Sequence, residues 1–564
     1  MRGARAFLIW VGLLCPALMM ARPSSAAWPT EPSANVPLCT ASGDQQSPAI
    51  VPDGAGGAIV SWTDLRFGNG HVYAQRILAS GTPMWTADGI ALCTAQYEQG
   101  SAALAPDGAD GAIVAWNDYR GGPTYRIYAQ RISAGGATQW AANGVALCTV
   151  ASQHSSPALV TDGAGGAIVT WSDYRRGSAG VYAQRVSVGG AAQWTTDGVA
   201  LAATTGDQES PGIVSDGVGG VIVAWQDTRS GHPTIYAQRI SATGTTQWAA
   251  NGVAPCTVTS SQLSPAVVSD GDGGAIVTWY DYRNSALGIY AQRISAGGTA
   301  TWTASGVALC SIDVTVTHFY QGVASDGAGG AIVTWEDFRN FNADIHAQRV
   351  SSEGAVLWTA DGVAVCTAPD DQIYPSAISD GAGGAIVTWD DYRSGSADIY
   401  AQRVSAGGAP RWTVDGVALC TAAYDQRAPA IAPDGAGGAI VAWQDARNGP
   451  LDIYAQRVGP AGLLGGTVDA PQAPAVALAL DAVHPNPWRG GSLLVQFTLP
   501  TTAPARLELL DVAGRRVASH EIGSQGPGRH TVELGERQHL ASGLYLVRLT
   551  QGANVRVARA VMLK

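Results

Sequence analysis

Aspartate and arginine recur along this chain at fixed positions, and a ring of paired charges is the first chemistry they suggest. The word Trp-x-Asp-x-Arg appears eight times, with its tryptophan at Trp62, Trp116, Trp171, Trp225, Trp279, Trp335, Trp389 and Trp443. An Asp-Gly-x-x-Gly word stands before each, starting at Asp53, Asp107, Asp162, Asp216, Asp270, Asp326, Asp380 and Asp434. A Tyr-Ala-Gln-Arg word follows each, with His346 in place of tyrosine once. A residue present in every repeat at one register is what the fold needs each time, whereas catalysis needs asymmetry, so these charges read as structural ties. The Asp-Gly turns offer hard oxygens that suit calcium. Each brings only one carboxylate, however, with Asp110 and Asp272 as the additions, so no cofactor is expected.

A second set varies between repeats. Eight residues ahead of each turn aspartate stand Gln45, Gln99, His154, Gln208, Gln262, His318, Gln372 and Gln426, with Asp44, Glu98, Asp207, Asp371 or Asp425 just before five of them. If an inner strand starts here, they form a polar, partly acidic ring at a channel mouth and are candidates for ligand binding. The alternative is that they satisfy backbone groups between neighbouring repeats. The sixth repeat departs most, with His318, Phe319 and Tyr320 together, and Tyr320 joins the candidates. Cys39, Cys93, Cys148, Cys256, Cys310, Cys366 and Cys420 share one repeat position, which Ala202 takes in the third repeat. Equivalent positions in adjacent repeats lie farther apart than the roughly 7 Å that a disulfide tolerates, so these cysteines read as small buried hydrophobes. Cys/His clusters with zinc spacing, a phosphate loop and a Gly-x-Ser-x-Gly elbow are all missing from the sequence, and no catalytic or metal residue is assigned.

The elements that position these residues follow from the spacing. Successive tryptophans are 54, 55, 54, 54, 56, 54 and 54 residues apart. Within one repeat, residues 47–52 and 57–62 flank a glycine-rich hairpin turn, and 72–77 and 85–93 complete a set of four strands. Four short strands per repeat, eight times over, predict an all-β fold with an eight-bladed β-propeller. The last repeat lacks its fourth strand, while Val36 to Ala41 matches Ile90 to Ala95 and precedes the first repeat. An N-terminal strand that completes the last blade would close the ring and hide two sheet edges. The loops between second and third strands, and those from fourth to next first strand, then share one face, where function is to be sought.

Composition agrees. The chain has 564 residues with 71 glycines and 29 prolines, 14% charged residues, a net charge of −11 and a single lysine, Lys564. Without a basic block it has no electrostatic footprint for nucleic acid. Arg2 and Arg5 precede an apolar run over 6–20, and Ser25-Ala26-Ala27 follows, as in a secretory leader cut after Ala27. The run is shorter than the roughly 20 residues of a membrane span, so no transmembrane segment is expected in the mature chain. The expected domains are 1–27 leader, 28–463 propeller, 464–477 linker and 478–564 a β-sandwich.

The tail carries specific words: His484-Pro485-Asn486-Pro487-Trp488, Leu509 to Arg515 around Gly514, Ser542-Gly543-Leu544-Tyr545 and a terminal Val561 to Lys564. It resembles the type IX secretion system C-terminal sorting domain, type A, which overlaps with FlgD-like immunoglobulin folds; Trp488 stands where the family often has phenylalanine. The resemblance implies an Ig-like sandwich, the secretion machinery as partner, and release to the extracellular space or attachment at the outer-membrane surface. Pro485, Asn486, Pro487, Gly514, Gly543, Tyr545 and Lys564 carry the match. The array before it resembles repeat arrays of bacterial secreted and surface proteins. The expected function is therefore a secreted or surface monomer that binds a carbohydrate or protein ligand without catalysis. The alternatives are an envelope scaffold and a secreted hydrolase or lyase.

Overall fold

The words of the repeat become strands where their side chains have neighbours on both sides to pack against. In the computed structural model of the protein, residues 28–283, 287–311, 320–466, 479–484, 488, 493–499, 504–523, 528–534, 541–552 and 554–563 are described, and no α-helix occurs among them. The leader, His318, Pro485, Asn486, Pro487, Lys564 and most of the linker lie outside the described residues. The chain divides into two compact units, Met1–Val468 and Asp469–Lys564.

The first unit contains eight antiparallel sheets, numbered here by the order of their Trp-x-Asp-x-Arg words. Sheet one shows the logic: β2 (Gln45–Pro52), β3 (Ala58–Asp64), β4 (His71–Ile77) and β5 (Ile90–Ala91) pair in that order. Asp53 Oδ1 accepts the N–H groups of Ala55 and Gly57, both at 2.8 Å, and closes the hairpin. Gly57 is obligatory there, because a Cβ would lie 2.2 Å from the Ile77 carbonyl oxygen. The apolar run of β3 is covered on both faces, and Ile59, Val60 and Trp62 are fully buried. Sheet four has three strands, its fourth reduced to a bridge between Ala237 and Val253.

The repeated charges are ties, as their register suggested. Trp62 Nε1 donates to Asp64 Oδ2 at 2.9 Å. Arg66 donates through Nε to Asp64 Oδ1 at 2.8 Å and through Nη2 to Asp64 Oδ2 at 2.6 Å, to the Asp88 carbonyl at 2.8 Å and to the Cys39 sulfur at 3.3 Å. Its guanidinium also lies 4.1 Å from the centroid of Tyr73. Burial opposes the Asp64 charge, but these hydrogen bonds hold the carboxyl below its ordinary range. At the opposite end, Arg76 Nε donates to Asp53 Oδ2 at 2.9 Å and its Nη1 reaches the Ala134 carbonyl of the next sheet at 3.1 Å. The turn carboxylate thus meets two N–H groups and a guanidinium. The cysteines are buried and unbridged, and burial pushes the thiols of Cys39, Cys366 and Cys420 up to about 12.

The first strand of every sheet lies against the first strand of the next, and Gln426–Pro433 of sheet eight lies against β2. Strand β1 (Val36–Cys39) pairs with Asp452–Val458, the third strand of sheet eight, placing Val36 opposite Ala455 and Cys39 opposite Ile453. Gln45 N donates to the Leu451 carbonyl at 2.6 Å, and Leu451 N to Asp44 Oδ1 at 3.0 Å. Trp28 is buried and bridges to Gly466.

In the second unit, Ala479–His484, Leu493–Leu499 and Gly528–Leu534 form one sheet, and Arg516–Gly523, Ala505–Asp511, Gly543–Gln551 and Asn554–Met562 the other. Both feed one core containing Trp488, Leu493, Phe497, Leu507, Leu509, Val547 and Leu549. Gly514 turns at φ +78° beside Asp511, Gly543 opens its strand, and the Tyr545 hydroxyl donates to the Ala541 carbonyl at 2.8 Å.

Removing residues 28–41 is expected to cost about 3–5 kcal/mol, because it exposes the sheet-eight edge and takes away Trp28, Leu38 and Cys39. Thermal unfolding followed by near-ultraviolet circular dichroism measures this, and an unchanged melting temperature would contradict it.

Candidate functional site

Because neighbouring strands alternate in direction, the loops between second and third strands and the links from fourth to first strands emerge at the same end of the first unit. They are bonded to one another there: Leu65 N donates to the Asp44 carbonyl at 2.8 Å, Tyr119 N to the Glu98 carbonyl at 2.9 Å, and the Tyr125 hydroxyl to Glu98 Oε2 at 2.8 Å.

The polar ring opens the first strands but faces inward. Gln45, Gln99, His154, Gln208, Gln262, Gln372 and Gln426 are all buried. Gln45 Nε2 donates to the Gly43 carbonyl at 2.7 Å, Gln99 to Tyr97 at 2.7 Å, Gln372 to Asp370 at 2.8 Å and Gln426 to Tyr424 at 2.9 Å. Gln208 Nε2 meets Thr204 Oγ1 at 2.6 Å, and Gln262 Oε1 accepts Ile235 N at 3.0 Å. The side chains placed at a channel mouth by the sequence are therefore braces for the links as the structure places them. The physical reason is a bulge: the pairing register of β2 shifts between Gln46 and Ala49, and Ser47 takes φ +53°. Tyr320, in contrast, is exposed, with its ring 4.4 Å from that of Tyr374.

His154 is the exception within the ring. Its Nε2 faces Asp173 Oδ2 at 2.8 Å and its Nδ1 the Tyr125 carbonyl at 2.8 Å, so both ring nitrogens donate. Burial works against the charged ring, yet the bond to Asp173 carries its pKa up to about 9 and pulls that of Asp173 down. The donor atoms of Cys148, His154 and Asp173 lie within 4.8 Å of one another, a spacing that suits a metal. Arg175 Nη2 already reaches Cys148 Sγ at 3.1 Å and is paired with Asp173, so a guanidinium occupies the cation's place.

A further asymmetry lies in the residue after the repeat tryptophan, which sequence reading passed over. Gln444 Oε1 there accepts the N–H of Ser47, the bulged residue of the next sheet, at 3.2 Å. Glu336 accepts Tyr374 N at 2.7 Å and Asp390 accepts Ala428 N at 3.4 Å. A neutral amide therefore suffices for the fold, but sheets six and seven carry acids. Glu336 Oε2 and Asp390 Oδ1 are buried without a hydrogen-bond partner. Burial pushes Glu336 up to about 7 and Asp390 well above the usual carboxylate range. Tyr280 holds the same position in sheet five and donates to the Tyr320 carbonyl at 2.7 Å. The only sequence signal is two acids at a register otherwise filled by Thr63, Asn117, Ser172, Gln226, Tyr280 and Gln444.

The outer surface of this end is aromatic. Phe67, Tyr97, Tyr282, Tyr320, Phe341 and Tyr424 are exposed here, whereas among the described residues the large apolar side chains exposed on the other loops of this unit are aliphatic, such as Val188, Val218 and Leu357. Two backbone positions make the pattern costly. Phe341, 102% exposed, closes a turn at φ +77° where Gly68, Gly122, Gly177, Gly231, Gly395 and Gly449 serve in other sheets. Tyr97 and Tyr424, at φ +77° and +65°, take the position of Gly43 and Gly206. A side chain in this left-handed region costs roughly 1–2 kcal/mol.

Residues 482–563 match the family model of the secretion system C-terminal sorting domain. The tail is thus a sorting domain, which directs export to the cell surface or extracellular space through the secretion machinery. No curated protein matches the chain. Among solved structures, a protein of unknown function from Dyadobacter fermentans is 11% identical over 67% of this chain and 95% of its own, with a TM-score of 0.35. An ulvan lyase, a polysaccharide lyase, is 11% identical over 78% of this chain and 97% of its own at 0.38. An endo-arabinase from Bacteroides thetaiotaomicron is 13% identical over 46% and 96% at 0.27. Likeness of that degree says nothing about activity.

Two pH responses follow from the buried groups. His154 gains its proton more readily when folded, so its contribution is complete below about pH 6.5 and fades as pH rises through about 9. His154→Gln is expected to be less stable than the parent at pH 6, with the gap closing by pH 9.5 in urea titrations. Glu336 also holds its proton more tightly when folded, so its ionisation erodes stability as pH rises from about 4.5 to about 7. Glu336→Gln keeps the acceptor that Gln444 supplies in sheet eight, and is expected to exceed the parent by on the order of 1–2 kcal/mol at pH 8, with no gain at pH 4. A gain independent of pH would contradict the assignment.

Proposed function

We propose that the first unit is an eight-bladed β-propeller closed by its N-terminal strand and that the second is an Ig-like sorting domain. In this reading residues 1–27 are a cleaved leader, residues 464–477 a linker, and the mature protein a monomer released from the cell or held at its surface. Its role is non-catalytic binding of saccharide through the loop face. The supporting observation is the confinement of Phe67, Tyr97, Tyr282, Tyr320, Phe341 and Tyr424 to that face. Phe341, Tyr97 and Tyr424 stand in left-handed backbone that other sheets give to glycine or, at Asp370, to aspartate. Aromatic rings are rigid, lose little conformational entropy on binding and offer a negative face to the C–H groups of a sugar ring. Strain kept for exposed rings is the signature of a surface retained for contact. Binding needs no cofactor in this proposal.

A hydrolase or lyase is the second reading, favoured by Glu336 and Asp390, whose raised protonation suits a proton donor. Both carboxyls are buried, and each accepts a backbone N–H from the first strand of the next sheet.

Tyr97→Gly and Phe341→Gly are each expected to weaken glycan binding while raising stability by about 0.5–1 kcal/mol. A glycan array read with and without chelator, alongside thermal unfolding, tests both effects. Unchanged binding in the double variant, or loss of binding on chelation, would overturn the corresponding part of the proposal.

A further inference from the structure

We infer that the groove between sheets seven and eight is a subsite for an uncharged oligosaccharide. This rests on the binding reading above and adds a place and a ligand class to it. The groove has a volume of about 710 Å³, within the roughly 300–1,000 Å³ of small-ligand sites. Ser396, Tyr424, Asp425, Arg447, Asn448 and Gly449 line it, from the loops of both sheets and the link between them, and Arg447 is held by Asp445. Tyr424 supplies the platform: it is exposed and held at φ +65°, where glycine is the unstrained choice.

The polar groups beside the platform favour hydroxyl donors. Asp425 Oδ1 accepts Ala397 N at 3.0 Å and its Oδ2 accepts Arg427 Nη2 at 2.8 Å. The carboxylate side chain is still 40% exposed, which leaves lone pairs for a ligand. Asn448 is exposed and its amide is oriented by Asp452 at 2.7 Å and by the Tyr454 hydroxyl at 3.1 Å.

Charge selects against acidic sugars. At the opposite end each turn aspartate is paired with an arginine, from Asp53–Arg76 round to Asp434–Arg457. On the loop face four carboxylates of the links are capped by neutral donors instead: Asp44 by Leu451 N at 3.0 Å, Glu98 by the Tyr125 hydroxyl at 2.8 Å, Asp207 by Ala179 N at 3.0 Å and Asp371 by Ala343 N at 2.9 Å, while Asp425 in the groove is paired with Arg427 and the strand-end Asp445 with Arg447. A neutral donor satisfies the oxygen and leaves the negative charge uncancelled. A sulfated or uronic chain reaching from the groove across the links therefore meets repulsion from those four carboxylates, whereas hydroxyls find acceptors.

The test uses the full chain in calorimetric titrations with two sets of probes. One set is neutral (cellohexaose, mannohexaose, xylohexaose and laminarihexaose); the other is anionic (heparin and polygalacturonate). At least one neutral probe is expected to bind and the anionic ones not to. Tyr424→Gly should weaken that binding roughly tenfold or more without lowering the melting temperature, since glycine relieves the left-handed backbone. Neutral binding that Tyr424→Gly leaves intact, but that Tyr97→Gly or Phe341→Gly abolishes, would overturn the groove and leave the binding reading standing. Preferred binding of the anionic probes, weakening with salt, would overturn the ligand class alone. Binding by neither set would overturn both.

Discussion

The structure depends on one buried arrangement made eight times: an aspartate that accepts from the indole two residues before it and from the arginine two residues after it. Burying an ion pair is expensive unless every donor and acceptor finds a partner. In sheet one the guanidinium is shared among the carboxylate, a backbone carbonyl, a cysteine sulfur and a tyrosine face; an arginine–cysteine bond recurs in six sheets and the tyrosine face in seven. Lysine could not fill the role, because its compact ammonium lacks the planar fork. Sheet six shows the tolerance of the arrangement. There His346 replaces the tyrosine, its Nδ1 has no partner, and burial holds its pKa down to about 4.

Much of this was legible in the sequence because repetition separates the requirements of the fold from everything else. The strand boundaries, the hairpin turns, the structural charges and the exchange of a strand between chain ends all follow from matching words at a fixed spacing. The direction of a side chain was not legible where one extra residue alters it. Gln45 and its equivalents lie on the strand and at the end that the pattern indicated, but the bulge at Ser47 leaves them bracing a link instead of facing a ligand. Glu336 and Asp390 escaped notice because they stand at a position the repeat leaves variable, and their burial is a property of neighbouring sheets. The aromatic face was invisible for a similar reason. Phe341 and Tyr424 belong to different kinds of loop, and only the alternation of strands brings both kinds to one end.

The two ends of the sheets thus serve different purposes. The Asp-Gly turns are nearly identical and charge-compensated, and in six sheets the arginine paired with the turn aspartate also bonds a carbonyl of the next sheet. The loop end carries the insertions, the left-handed aromatics, four carboxylates with neutral caps and the deviant sixth repeat. A scaffold that repeats its stabilising bonds at one end is free to diversify the other, which is how binding surfaces arise on rigid folds.

The pairing of Val36–Cys39 with Asp452–Val458 has a consequence for the life of the chain before it is folded. Residues more than four hundred positions apart must meet before the last sheet is complete. Loop closure over such a separation is entropically unfavourable and comes late. While the chain is being synthesised from its N-terminus, the first strand has no partner to join, because that partner belongs to the last of the repeats to emerge. The order of emergence itself therefore keeps the last sheet incomplete until late, and its completion comes shortly before the segment that bears the sorting domain.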